Sequence, residues 1–251
     1  MSPAAGPRVY RYSRPGTSWF EIDDSRDEVR LSAAQRAFAA GLRARAYRWG
    51  LPPADTWIQV WGDAEDGPGL LAGLSGVGLR RAGLGGVFAA ELVDAHLHCG
   101  PVHANLTHFL RPWSAALEFD ADGPPEQLAD HAARWMESLQ RRPVALYVWF
   151  HRQTVYAGRY EFADTGDLLG ERYDPDFAPP DEPDAMIAAG HLVGLGDIST
   201  AGLAVPDAFV FIRGERTAAR VPAGLRELPP SVLPSILRGD GGWLGCDARH
   251  G

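Results

Sequence analysis

The sequence predicts an α+β protein, with a mixed or mostly antiparallel sheet and two main helices packed on it. Two segments, 32–49 and 124–142, carry apolar residues at helical spacing. The segments 144–150 and 155–162 are rich in β-branched and aromatic residues, and the short link between them is typical of a hairpin. Helices and hairpins follow one another without the regular strand–helix alternation of a parallel α/β protein, which favours the α+β class.

The chain is long enough to form a substantial hydrophobic core. It has 251 residues, of which 45% are hydrophobic and 22% are charged, the usual mix of a globular protein. We predict a single α+β domain over 1–220, followed by an irregular Pro/Gly-rich tail over 221–251. No apolar run reaches the roughly 18 residues of a membrane span, so no membrane partner is expected.

Short strands are predicted in the N-terminal part at 8–13, 18–22 and 56–61, where β-branched and aromatic residues are frequent. The stretch 67–86 contains eight glycines. Glycine loses much backbone entropy when it is ordered, so this density indicates turns, close packing of the backbone, or a backbone that approaches a ligand.

The helix at 32–49 has a clear start and end. Ser32 and Gln35 form a capping box, because the hydroxyl and the amide side chain each satisfy a free backbone N–H group of the first turn. Gly50 ends the helix, since glycine readily adopts the left-handed conformation found there.

The helix at 124–142 is equally well defined, with Pro124 at its start, where a missing N–H group costs nothing. Its predicted buried stripe consists of Leu128, Ala132, Trp135 and Leu139. Further along the chain, a short helix is predicted at 184–189 and a strand at 208–213.

The charged residues exclude several functions. There are 24 basic residues against 32 acidic ones, and all 24 are arginine, a bias that indicates a GC-rich genome. Without lysine there is no Schiff base, no pyridoxal-phosphate lysine and no P-loop lysine. The net charge of −8 argues against a nucleic-acid partner, which would need a basic face.

The two cysteines, Cys99 and Cys246, do not form a disulfide framework. The N-terminal residues lack the apolar stretch of a secretory signal. We therefore predict a cytoplasmic protein with both thiols reduced.

A histidine-rich segment extends from Asp94 to His108. If 94–98 is a strand, Asp94, His96 and His98 point to one face and are candidate ligands of a divalent metal. The string Asp-x-His-x-His resembles the first metal-binding strand of amidohydrolase-type enzymes, although too few residues follow it to complete a barrel of about 250 residues.

The same segment supports other interpretations. Its candidate catalytic residues for metal-free acid/base or nucleophilic chemistry are His96, His98, Cys99 and His103. The run 87–97 also consists of good helix formers, and in a helix His96 and His98 would not share a face. The histidines would then be structural or exposed to solvent.

The loop that begins at Arg80 is a candidate anion-binding site. A helix predicted from Gly86 onward would place backbone N–H groups of the loop at a helix N-terminus, which suits a pyrophosphate. Arg80, Gly83 and Gly85 resemble the Arg/Gln-x-x-Gly-x-Gly loop of GNAT-family N-acetyltransferases, and the resemblance implies acetyl-CoA binding. The alternative is a plain turn leading into a helix.

Aromatic residues are abundant, with eight tryptophans. We expect Trp135 to belong to the core, whereas Trp57 and Trp61 share one face of their predicted strand and are candidates for a stacking platform.

Three functions remain open on the sequence alone. The first is a cytosolic enzyme acting on a small-molecule or peptide substrate, with acyl transfer at the loop 80–86. The second is a non-catalytic binding or partner-neutralising protein, whose acidic surface would attract a basic partner. The third is a metal-dependent hydrolase using 94–108. The sequence indicates neither the cofactor nor the oligomeric state.

Overall fold

The computed structural model describes residues 18–22, 31–49, 53–61, 69–79, 84–102, 117–193, 197–232 and 244–245. Within them the α+β prediction is confirmed, with two main sheets and three helices. None of these helices has the length and apolarity that crossing a membrane requires.

The first sheet has five antiparallel strands in the order β1-β2-β3-β4-β5. Its strands are β1 (Thr56–Trp61), β2 (Gly69–Leu79), β3 (Leu84–Val93), β4 (His96–Val102) and β5 (Phe119–Asp122). The strand predicted at 56–61 is confirmed. The residues predicted as a strand at 18–22 form a bend and a turn, with only Ile22 bridged to β1, and those at 8–13 lie outside the described residues.

The second sheet is mixed, with six strands in the order β12-β11-β6-β7-β8-β13. Its strands are β6 (Val144–His151), β7 (Thr154–Phe162), β8 (Asp167–Tyr173), β11 (Ala208–Arg213), β12 (Arg226–Leu228) and β13 (Leu244–Gly245). The β6–β7 hairpin and β11 match the prediction. The predicted irregular tail contributes two short strands, β12 parallel to β11 and β13 antiparallel to β8. A separate small hairpin joins β9 (Leu192–Val193) and β10 (Asp197–Ile198).

The three helices are α1 (Ala33–Ala46), α2 (Pro125–Arg141) and α3 (Glu182–Ala188). The capping box predicted at the start of α1 is present. The backbone N–H of Gln35 donates to Ser32 Oγ at 3.1 Å, and the backbone N–H of Ser32 donates to Gln35 Oε1 at 2.9 Å. The predicted stripe of α2 is buried along its full length. The helices α1 and α2 approach each other at Gly41, where an added Cβ would lie 2.6 Å from the Ala129 Cβ.

One hydrophobic core joins α1, α2 and the inner faces of both sheets. At its centre, Phe88 of β3 makes an edge-to-face contact with Trp135 of α2 at 6.1 Å between ring centroids. Phe88 also lies 6.4 Å from Phe162 of β7. The predicted burial of Trp135 is therefore confirmed, and its ring contact is with the first sheet.

The outer face of the second sheet is also covered. The segments 174–193, 197–207 and 214–225 pack on it through a second buried cluster, in which Met186 and Ile198 of these segments join Tyr147 of β6. Polar anchors hold this cover in place, since the buried carboxylate of Glu171 accepts hydrogen bonds from the backbone N–H and the hydroxyl of Thr200 at 2.9 and 2.6 Å. On the outer face of the first sheet, a third buried cluster consists of Leu71, Ala89 and Val102. Trp61, His96, Asp120 and Asp122 are exposed on the same face.

Candidate functional site

Side chains alternate between the two faces along each strand, so every second residue of the first sheet lies on its outer face. The pairing aligns Glu91 of β3, His98 of β4 and Asp120 of β5 in one row, and it aligns His96 with Asp122 in the next. We call these residues the carboxylate–histidine face: Glu91, His96, His98, Asp120 and Asp122. Both histidines of this face were predicted to share one side of a strand, and they do.

Each histidine of the face is hydrogen-bonded to an aspartate on the neighbouring strand. The Nδ1 atom of His96 lies 2.9 Å from Asp122 Oδ1, and that of His98 lies 2.8 Å from Asp120 Oδ1. Because an ionised carboxylate only accepts hydrogen bonds, the Nδ1 atom of each ring is the donor. The His96 Nε2 atom also approaches Asp120 Oδ1 at 3.5 Å.

These side chains are open to solvent to different degrees. Asp122, Asp120 and His96 are 85%, 56% and 51% exposed, and His98 is 26% exposed. The hydrogen bond to Asp122 and the nearby negative charges raise the pKa of His96 above its ordinary value. Burial raises the pKa of Glu91, an effect that the charge of His98 and the nearby indole N–H of Trp61 oppose.

Two tryptophans of β1 lie across glycines of β2 next to this face. An added Cβ at Gly69 would overlap the indole of Trp61, and one at Gly73 would overlap the indole of Trp57. Because Gly69 has no side chain, Trp61 reaches across β2 to a position from which its indole N–H interacts with Glu91 on β3. Trp61 remains 44% exposed.

The proposed metal ligands are only partly brought together. Asp94 is not in a strand, because β3 ends at Val93 and β4 begins at His96, and Asp94 occupies the turn between them with φ 53°. The helix considered for 87–97 is wrong, since these residues form the β3–β4 hairpin. Within the described ranges, no group of three or more His, Cys, Asp or Glu side chains is arranged to hold a metal ion. His103 and His108 lie outside those ranges.

Cys99 is on the opposite face of β4 from His96 and His98. Its side chain is fully buried in the core, and burial raises the pKa of its thiol strongly. A nucleophilic cysteine needs an accessible thiolate beside a base, so the structure does not support the catalytic role considered for Cys99.

The helix expected after the glycine loop is also wrong. Residues 84–93 are strand β3, which pairs antiparallel with β2 from Leu79 and Leu84 onward. Gly85 lies within β3 opposite Gly78, and Arg80 and Gly83 lie outside the described residues. The acetyl-CoA hypothesis depended on a helix N-terminus at this loop, and strand β3 occupies that position instead.

The two aspartates of the face, Asp120 and Asp122, were not among the candidate residues predicted from the sequence. Asp120 and Asp122 are 22 and 26 residues from their histidine partners. The available signal was the alternation Phe119-Asp120-Ala121-Asp122, which has the same period of two as the two histidines and is typical of a strand with one polar side.

A concave feature lies away from this face, at the C-terminal end of α2. It is an open groove of about 350 Å³ lined by arginines and carboxylates. Its guanidinium groups are already paired: Arg134 with Asp130, Arg141 with Glu137 and Arg142 with Asp164. These pairs leave little free positive charge in the groove for an anionic ligand.

The hydrogen bond between His96 and Asp122 gives a testable titration. We expect the imidazole of His96 to titrate above 6.5, and Asp122→Asn to lower that pKa, because the partner that stabilises the cation becomes neutral. The stabilisation is fully present below the unfolded-state pKa and is lost as the pH rises through the raised folded value. NMR of the imidazole protons measures both pKa values. Asp184→Asn on α3 is the control, and an equal shift in that variant would contradict the assignment.

Comparisons of this chain with known proteins found no matching family model, no matching curated protein and no matching solved structure.

Proposed function

We propose that this protein is a binding protein that docks a positively charged segment of another protein on its carboxylate–histidine face. The observation that carries the proposal is the grouping of Asp120 and Asp122, which are both exposed, with the half-buried Glu91 on the outer face of strands β3 to β5. Neutralising a basic partner is one task that such a surface can perform.

The distribution of charge supports this choice. The chain carries a net charge of −8, and none of its 24 arginines occupies an outward position of β1 to β5 whose side chain the structure describes. Complementary charge accelerates association and excludes partners of like charge, both of which a binding protein needs.

The shape of the surface supports docking of a macromolecule over binding of a small substrate. Small-molecule sites are concave and enclose most of their ligand. The face instead spans three neighbouring strands, and Asp120, Asp122 and His96 each expose at least half of their side chains.

The two enzymatic hypotheses remain predictions with simple tests. Acyl transfer predicts that calorimetry detects CoA binding to the unmodified protein. Metal-dependent hydrolysis predicts that elemental analysis finds zinc in protein from zinc-supplemented cells, and that His96→Ala and His98→Ala each lose it while His250→Ala does not. Metal affinity would fall below about pH 6, because histidines bind metals in their neutral form.

The binding proposal is tested with hexalysine as a defined cationic probe, in calorimetry at low ionic strength. Asp120→Asn/Asp122→Asn is expected to weaken binding by about fivefold or more, because two exposed charges are removed from the docking surface. The matched control, Asp176→Asn/Asp184→Asn, removes the same charge from exposed positions elsewhere and is expected to have a smaller effect.

The two double variants must both be folded for the comparison, which amide NMR shifts of β4 and β5 establish. An equal loss of affinity in both would show that hexalysine responds only to net charge, and the proposed surface would be rejected. Raising the pH through the pKa of His96 is expected to strengthen binding, since the imidazolium opposes a cationic partner.

A further inference from the structure

Trp61 lies at the edge of the carboxylate–histidine face, with its indole packed on the backbone of Gly69. One side of the ring is covered by Gly69, where a Cβ would lie 2.5 Å from Trp61 Cε2 and 2.9 Å from Trp61 Cζ2. The indole N–H interacts with Glu91, which lies on the next strand, β3, paired with Leu71 of β2. Trp61 is 44% exposed, so part of the side chain is accessible to a ligand.

A carboxylate thus lies beside an exposed aromatic face. The carboxylate of Glu91 interacts with the indole N–H, and a carboxylate has about four acceptor positions. The charge of His98 offsets only part of the desolvation of Glu91, which leaves its pKa raised. A cation that stacks on Trp61 would sit within reach of this carboxylate and offset more of that cost.

We propose that Trp61 and Glu91 form a subsite for an arginine side chain of the basic partner, with the guanidinium stacked on the indole and hydrogen-bonded to the carboxylate. This inference rests on the proposed function and names the chemistry by which the same surface selects its partner. A guanidinium is planar, so it stacks on an aromatic face and pairs with a carboxylate through two N–H groups at once. A lysine ammonium is compact and strongly hydrated, and it matches this geometry less well.

The arrangement also explains the glycine at position 69. Any side chain there would push the indole off β2, since its first carbon would overlap the ring. The ring would then lose both its contact with Gly69 and its interaction with Glu91. Gly69→Ala is therefore a second way to disrupt the subsite without removing the indole.

The test compares hexa-arginine with hexalysine, because the two peptides have the same charge and differ in side-chain shape. The unmodified protein is expected to bind hexa-arginine about two- to fivefold more tightly than hexalysine. This is the gain in affinity that a cation–π contact provides at an exposed site. Both Trp61→Leu and Gly69→Ala are expected to abolish this preference and to leave hexalysine affinity nearly unchanged. Phe177→Leu, at an aromatic residue that is 51% exposed, is the matched control and should keep the preference.

The outcomes separate the two proposals. If hexalysine binding depends on Asp120 and Asp122 but the arginine preference survives in a folded Trp61→Leu variant, the subsite is wrong and the docking surface stands. If neither peptide responds to Asp120→Asn/Asp122→Asn, the docking surface itself is wrong. A shift of the Trp61 indole N–H signal with maltohexaose and none with hexa-arginine would identify a sugar platform and overturn the arginine subsite.

Discussion

Replacing Trp135 with alanine is expected to lower the free energy of unfolding by about 3–5 kcal/mol. The side chain is only 9% exposed and lies in the core that joins α2 to both sheets. The loss combines the transfer free energy of a large aromatic group with the cost of the cavity that it leaves. The edge-to-face contact with Phe88 disappears as well.

Denaturant unfolding measures this change, with the midpoint shifting while the slope stays constant. Phe177→Ala is the control, because Phe177 is 51% exposed and its removal leaves no cavity in the core. A loss below about 1 kcal/mol for Trp135→Ala would contradict the central position of the ring.

Local signals predicted the helices well. The capping box of Ser32 and Gln35 and the proline at the start of α2 act within one helical turn, so the sequence contains all the information that they need. The β6–β7 hairpin is likewise local, with a link of two residues at 152–153 that both adopt positive φ.

The glycine-rich stretch shows what local signals leave out. Glycine normally weakens a strand, so the glycines of 67–86 indicate turns, close packing of the backbone or approach to a ligand, and no long strand is predicted there. Gly69 and Gly73 are in β2 because the indoles of Trp61 and Trp57 on β1 cover them. That reason is a contact between strands, which the residues of β2 alone do not reveal. The same holds for β3 and β4, whose pairing overrides the helix-forming residues of 87–97.

Of the carboxylate–histidine face, the grouping of the two histidines could be predicted from the sequence. The period of two grouped His96 with His98, and the same rule places Cys99 on the other side, where it is buried. Asp120 and Asp122 could be recognised as strand residues with one polar side. Their pairing with the histidines depends on the course of the chain between β4 and β5, which no local pattern determines.

Replacing Gly214 with alanine is expected to have the other large effect, a loss of about 2–5 kcal/mol of folding stability. Gly214 follows β11 and has φ +92°, a conformation that residues with a side chain adopt at a cost. An added Cβ would also overlap the Arg142 carbonyl oxygen and lie 2.6 Å from Pro143 Cα. Both contacts are with backbone, so no side-chain rotation relieves them.

The close approach of the backbone at Gly214 to Arg142 and Pro143 brings hydrogen-bond donors to the C-terminal end of α2. The last carbonyl groups of a helix have no partner within it. The Arg213 guanidinium donates to the Leu139 carbonyl at 3.2 Å and to that of Gln140, and the Glu215 N–H donates to the Arg141 carbonyl at 3.1 Å. A side chain at Gly214 would push this segment away from the helix and break these bonds.

Gly224→Ala is the matched control, because Gly224 has φ +80° and nothing lies within 4 Å of an added Cβ. It is expected to cost only the conformational penalty of about 1–2 kcal/mol. Denaturant unfolding of the two variants therefore separates backbone strain from steric exclusion. Equal losses would mean that Gly214 is needed only for its dihedral angle, whereas a larger loss at Gly214 would show that β11 and the end of α2 require backbone contact there.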